Sequence, residues 1–182
     1  MVRPPEFMQP SEWTQRSIDY AVDVRNQREM QALIQLLGIN KAVFLLGQYK
    51  VGKTTLAGAV SQQLETTGNY ETIFTTPPEF IDGAQAIRPM AFGDVEYKPF
   101  NPATITAIDS ELAQGMRVLL IIDEVSTTPP GFVHELRLRN YLANPNVSFL
   151  LIGQGNMQTP NVTAWTNLFA GQPVGTMVLP LP

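Results

Sequence analysis

FLLGQYKVGKTT, residues 44–55, runs three hydrophobic side chains into Gly47, passes four residues, and arrives at Gly52, Lys53 and Thr54 together. Ala42 to Leu46 reads as a buried strand. KTTLAGAVSQQLE (53–65) reads as a helix with Leu56, Ala59, Val60 and Leu64 on one face. A strand that turns into a helix through a glycine-punctuated loop can aim several backbone N–H groups at one point. The helix start adds the positive end of its macrodipole. The pattern G-x-x-x-x-G-K-[ST] therefore predicts a cradle for the phosphates of a nucleoside triphosphate. It is formed by Gly47, Gln48, Tyr49, Lys50, Val51, Gly52, Lys53, Thr54 and Thr55. Lys53 is expected to reach the β- and γ-phosphates as a mobile point charge, and the Thr54 hydroxyl to ligate Mg²⁺. Lys50 reads as a surface residue, with phosphate or a partner as the alternative contact.

A second chemical stretch is RVLLIIDEVS, residues 117–126, in which five hydrophobic residues end in Asp123-Glu124. A central strand buried on both faces is continuously apolar, and its C-terminal end opens into the binding crevice. There Asp123 can hold the hydration shell of Mg²⁺, and Glu124 can polarise a water as general base. The plainer reading is a surface Asp-Glu pair capping the next helix. The phosphate-loop pattern upstream favours the chemical one. His134 is the sole histidine and lies within a helical pattern, where a solvated or packed role is expected.

The composition narrows the function classes. The chain has 182 residues, 44% of them hydrophobic, enough for one domain with a sizeable core. Charged residues make up only 15%, the net charge is −4, and no lysine or arginine run occurs. Direct nucleic-acid binding by this domain is therefore not expected. The absence of cysteine excludes disulfides and thiolate metal sites and favours a cytoplasmic setting. No stretch is long and apolar enough to suggest a membrane span.

Residues 1–15 are proline-rich and expected to be loosely ordered; residues 16–182 form the predicted domain. A helical pattern runs from Glu12 to about Leu37, with Gly38 as its expected C-cap. Strands are predicted at 42–46, 70–75, 117–122, 147–152 and 175–180. Helices are predicted near 53–66, 102–114, 131–143 and 161–169. Strand–helix alternation implies an α/β fold with a parallel sheet covered on both faces. Residues 76–101 lack any period and read as a long loop, functional or disordered. No Asp, Glu, Lys, Arg or His follows Arg139. An apolar surface is expected there, covered by an appended or partner domain, so the chain reads as a module of a larger protein.

RNQREMQALIQLL (25–37), VFLLGQYKVGKTTLA (43–57), RVLLIIDEVS, LRNYLANPNVSFLLIGQGN (138–156) and WTNLFAGQPVGTMVLPLP (165–182) follow one another in an order that resembles the AAA+/STAND ATPase core. The likeness is greatest to STAND-type and archaeal-type ATPases and spans about residues 20–182. It implies a three-layer sandwich with a parallel five-stranded sheet of order 5-1-4-3-2. It also implies ATP at the P-loop, Mg²⁺ at Thr54 and Asp123, and Glu124 as catalytic base. VSFLLIGQGN (147–156) supplies the strand that separates the P-loop strand from the Asp-bearing strand in hydrolytic P-loop ATPases. Gln154 at its end stands either as a polar sensor of the γ-phosphate or as an ordinary loop residue. Gln48 occupies the place of the deviant lysine of the MinD-like group, which that difference disfavours. The chain has neither an arginine finger of the MoxR kind after the sensor strand nor a helical lid. The implied function is an ATP-binding, slowly hydrolysing conformational switch. Alternatives are a MoxR-like ring ATPase with a remodelling role, a non-hydrolysing nucleotide scaffold, and a small-molecule kinase, which the adjacent Asp and Glu disfavour.

Overall fold

A computed structural model describes residues 26–77, 80, 97–130 and 140–181. Among the described residues nine elements follow in order: α1 (Gln27–Ile39), β1 (Ala42–Gly47), α2 (Lys53–Thr66), β2 (Tyr70–Thr75), α3 (Pro102–Ala113), β3 (Arg117–Ile122), β4 (Val147–Gln154), α4 (Pro160–Asn167) and β5 (Val174–Leu179). The strands form one sheet of order β2-β3-β4-β1-β5, all pairs parallel. This is the expected order, read from the opposite edge.

The apolar runs explain the layers. Ala42, Phe44 and Leu46 of β1 face one core, while Val43 and Leu45 face the other. β3 and β4 alternate in the same way, with Leu120 and Phe149 on the first face and Leu119 and Leu150 on the second. Strands that fill two cores have no polar side to show, and so read as continuous hydrophobic runs. α1 and α2 cover the second face with Met30, Leu33, Leu37, Leu56, Val60 and Leu64. α3 and α4 cover the first with Ile108, Val162 and Trp165. The result is the three-layer α/β sandwich. α3 starts on Pro102, and the Asn101 side chain accepts from Thr104 N–H at 3.0 Å, a polar cap before a proline-led first turn.

Several boundaries move. Gly38 does not end α1; the helix continues to Ile39, and Asn40 closes it in an extended conformation. Both the Asn40 backbone N–H and its side-chain amide donate to the Leu36 carbonyl, at 3.1 and 2.9 Å. A side chain that can satisfy a terminal carbonyl makes a left-handed glycine unnecessary here. β1 runs on to Gly47 and β4 to Gln154, while β5 sits one residue earlier than expected.

The N-terminal segment to residue 25, most of the 76–101 stretch and residues 131–139, with His134, Arg137 and Arg139, lie outside the described residues. The described parts of 76–101 pack firmly. Phe80 and Phe100 are buried, 4.8 Å apart between ring centroids, and Phe80 also meets Trp165. The uncharged C-terminal quarter is not the open apolar surface its composition suggested. Phe149, Trp165, Phe169 and Met177 are buried there, Leu142, Met157, Leu168, Val174 and Leu181 are half-buried, and Val178 is the large hydrophobic residue of this quarter left exposed among the described residues. The other exposed residues mix neutral polar ones, such as Gln154, Asn156 and Gln172, with prolines, alanines and glycines.

Candidate functional site

The C-terminal ends of β1, β3 and β4 lie side by side along one edge of the parallel sheet, the edge at which open α/β sheets form their ligand crevice. Gly47, the last residue of β1, has φ +149°, and a Cβ there would come within 2.5 Å of the Leu179 carbonyl oxygen of β5. Only glycine lets the loop leave β1 so close to its neighbour. Lys50 and Gly52 also adopt left-handed φ values, 62° and 91°. Gly52 stands at the N-cap of α2 without a capping side chain. The first turn of α2 closes with the Leu56 N–H donating to the Gly52 carbonyl at 2.9 Å. Gln48, Tyr49 and Lys50 are exposed, Val51, Thr54 and Thr55 are half-buried, and the Lys50 ammonium lies 5.4 Å from the centre of the Tyr49 ring.

Lys53 is buried and donates to two carbonyls of its own loop, Gly47 O at 3.2 Å and Gln48 O at 2.5 Å. Burial draws its pKa below the ordinary lysine value, and the Asp123 carboxylate pulls it back up. Both partners are carbonyls that a phosphate oxygen can replace with a stronger, charge-assisted bond.

Asp123 follows β3 and is 5% exposed. Its Oδ2 accepts from Thr54 Oγ1 at 2.9 Å and from Tyr97 OH at 2.7 Å, and its Oδ1 accepts from the Glu124 N–H at 2.8 Å. Its own N–H donates to the Thr75 carbonyl of β2 at 2.9 Å. Burial raises the pKa of Asp123; the Tyr97, Thr54 and Glu124 hydrogen bonds and the Lys53 charge oppose that rise. A cation would relieve the same desolvation. With its O–H donated in a hydrogen bond to Asp123, Thr54 Oγ1 keeps its lone pairs available to a cation. A hydroxyl oxygen and a carboxylate held 2.9 Å apart form a hard donor set that fits Mg²⁺.

Glu124 adopts a left-handed φ of 61°, and its carbonyl accepts from Thr127 N and Thr127 Oγ1. The residue is exposed, directly after the buried Asp123. Its pKa is raised by partial desolvation and then by the neighbouring Asp123 charge. A left-handed non-glycine residue costs about 1–2 kcal/mol and is informative where the surroundings enforce it.

Gln154 pairs with Gly47 in the β1–β4 register and is exposed beside the loop. Its N–H donates to Ser126 Oγ at 3.0 Å, and Gly155 N–H donates to the Gly47 carbonyl at 3.3 Å. The three chain segments are thus tied by two backbone N–H groups, one meeting the Ser126 hydroxyl and one the Gly47 carbonyl. The Asn161 amide, within a glycosylation sequon, donates to the Ser126 carbonyl at 2.9 Å and is engaged inside the fold.

Sequence reading missed Tyr97. It lies in the aperiodic stretch, and its link to Asp123 spans 26 residues. The local signal was the aromatic pair Tyr97 and Phe100 around Pro99.

No protein-family model matches the chain, and no curated protein matches it. Its fold is similar to that of the Aeropyrum pernix Orc1 protein, solved in complex with DNA, with a TM-score of 0.51 and 20% identity over 89% of this chain and 47% of that one. It is also similar to Rif2, solved in complex with the C-terminal domain of Rap1, with a TM-score of 0.51 and 10% identity over 93% of this chain and 58% of that one. The chain spans about half the length of these structures. No helix among the described residues is long and apolar enough to cross a membrane. The chain therefore shares with these structures a three-layer α/β fold built on a parallel five-stranded sheet of order β2-β3-β4-β1-β5.

Proposed function

We propose that this chain binds ATP with Mg²⁺ and hydrolyses it slowly, its nucleotide state setting the conformation of a larger protein. The observation that carries the reading is the Thr54–Asp123 hydrogen bond. It joins residues 69 apart in sequence at the mouth of the loop that also holds Lys53.

In this reading the N–H groups at the start of α2 hold the phosphates, and Lys53 exchanges the Gly47 and Gln48 carbonyls for β- and γ-phosphate oxygens. Thr54 and Asp123 hold Mg²⁺, which when bound neutralises charge on those oxygens. Glu124 takes the proton of the attacking water; its raised pKa brings it nearer the range in which a base is effective. Gln154, which pairs with Gly47 in the β1–β4 register, contacts the γ-phosphate in this reading. The slow rate is inferred from the absence of arginine in the segment between β4 and β5. A missing arginine finger is worth about 10³–10⁵ in rate. The net charge of −4 and the lack of a basic run speak against direct nucleic-acid binding by this domain.

Phosphate release measured across a wide range of protein concentrations, with and without acceptor substrates, tests the proposal. The expected result is turnover well under about one per minute, flat with protein concentration and indifferent to acceptors. Steep activation with concentration would restore the ring ATPase. ATP binding without release would favour the scaffold, and acceptor-dependent ADP formation the kinase.

A further inference from the structure

The proposed Mg²⁺ site leaves one donor unaccounted for. A carboxylate offers about four lone-pair sites. Three of those on Asp123 are filled by the protein, and the two on Oδ2 go to Thr54 and Tyr97. Thr54 is itself a proposed ligand, and the Glu124 N–H is tied to the turn that follows β3. Tyr97 belongs to neither group. It comes from the far side of β2, where it bridges to Phe74, and the next residue, Lys98, donates its N–H to the Phe74 carbonyl at 2.8 Å. The Tyr97 ring stands edge-on to Phe74, with centroids 6.1 Å apart. Its hydroxyl is thus delivered to Asp123 by a packed ring and a backbone pairing, and this is the geometry of a deliberate donor.

We propose that Tyr97 is a positioning residue for the Mg²⁺-holding carboxylate. By occupying Oδ2 it fixes the rotation of Asp123, so that the free lone pair lies on Oδ1, where a metal-bound water can be held. Thr54 is steadied in turn, because both hydroxyls share one oxygen. The proposal rests on the ATP–Mg²⁺ reading of this crevice. Partners that orient metal ligands in this way change metal affinity by about 10–100-fold when removed.

The test compares the wild-type chain with Tyr97→Phe, which keeps the ring against Phe74 and removes the hydroxyl. Calorimetry gives ATP affinity in excess EDTA and over a Mg²⁺ series, and circular dichroism gives the Tm of each protein. Tyr97→Phe is expected to need at least about tenfold more Mg²⁺ for half-maximal enhancement of ATP binding, with EDTA affinity unchanged within about twofold. Phe74→Leu loosens the same packing but keeps the hydroxyl. It is expected to lower Tm while leaving the Mg²⁺ requirement as in wild type. A wild-type Mg²⁺ requirement in Tyr97→Phe overturns the proposal alone. So does an equal rise in Phe74→Leu, since packing would then explain the effect. If the wild-type chain binds no ATP, or binds it without regard to Mg²⁺, the reading of the crevice fails and the role of Tyr97 falls with it.

Discussion

Two lysines stand at opposite ends of β1, and both are bonded to backbone carbonyls. Lys41, at the N-terminal end, gives its three ammonium protons to the carbonyls of Tyr141, Asn144 and Val147 at 2.6–2.7 Å. Burial draws its pKa down to about 8, which still leaves it charged at neutral pH. Lys53, at the other end, meets two carbonyls and the field of a buried carboxylate. Lys41 is saturated by the segment it staples to the sheet. Lys53 is held by replaceable partners of its own loop. The backbone draws the same contrast: the non-glycine residues with left-handed φ among those described, Lys50 and Glu124, both stand at the Lys53 end. Strain collected at one end of a sheet marks the end that has to do something other than fold.

The contrast can be broken by mutation. At the Lys53 end, Glu124→Gln should show the largest effect. Phosphate release is expected to fall by about 10²–10⁴-fold, with ATP affinity within about threefold of the parent; hydrolysis at the parent rate would remove Glu124 as the base. Gly47→Ala forces a side chain against the Leu179 carbonyl at a φ that disfavours one. Denaturant unfolding should show a loss of about 2–4 kcal/mol. At the Lys41 end, Lys41→Met should cost about 1.5–3 kcal/mol by the same measurement and leave ATP affinity unchanged. A nucleotide defect in Lys41→Met would end the division of labour between the two lysines. Gln154→Ala sharpens it further: a sensor role predicts a fall in turnover of about tenfold, and an ordinary loop residue predicts none.

Much of this architecture was legible in the sequence because its signals are local. The runs ending at Gly47 and Asp123 are continuous and apolar because both faces of each strand are buried, and the helix at 53–66 carries its stripe in its own spacing. The features that stayed hidden are distant pairs. Tyr97 reaches Asp123 across 26 residues and Lys41 reaches Val147 across 106, and neither leaves a periodic trace. Gly47 was expected to bend the loop, yet the demand for glycine also comes from a carbonyl at the far end of the chain. Asn40 took the place of Gly38 because a side-chain amide can do what a left-handed glycine does. The uncharged quarter misled for a related reason: composition counts apolar residues without saying which face of the sheet receives them.

The central claim is that the crevice at the Lys53 end holds a nucleotide. Calorimetric titration of ATP with Mg²⁺ into the wild-type chain and into Lys53→Ala tests it most directly. The account predicts saturable one-site binding by the wild type. It predicts a loss of at least about a hundredfold, roughly 2.7 kcal/mol, in Lys53→Ala, with Tm unchanged. Affinity in Lys53→Ala within about threefold of the wild type, ~0.7 kcal/mol, or no binding by the wild type, would contradict it.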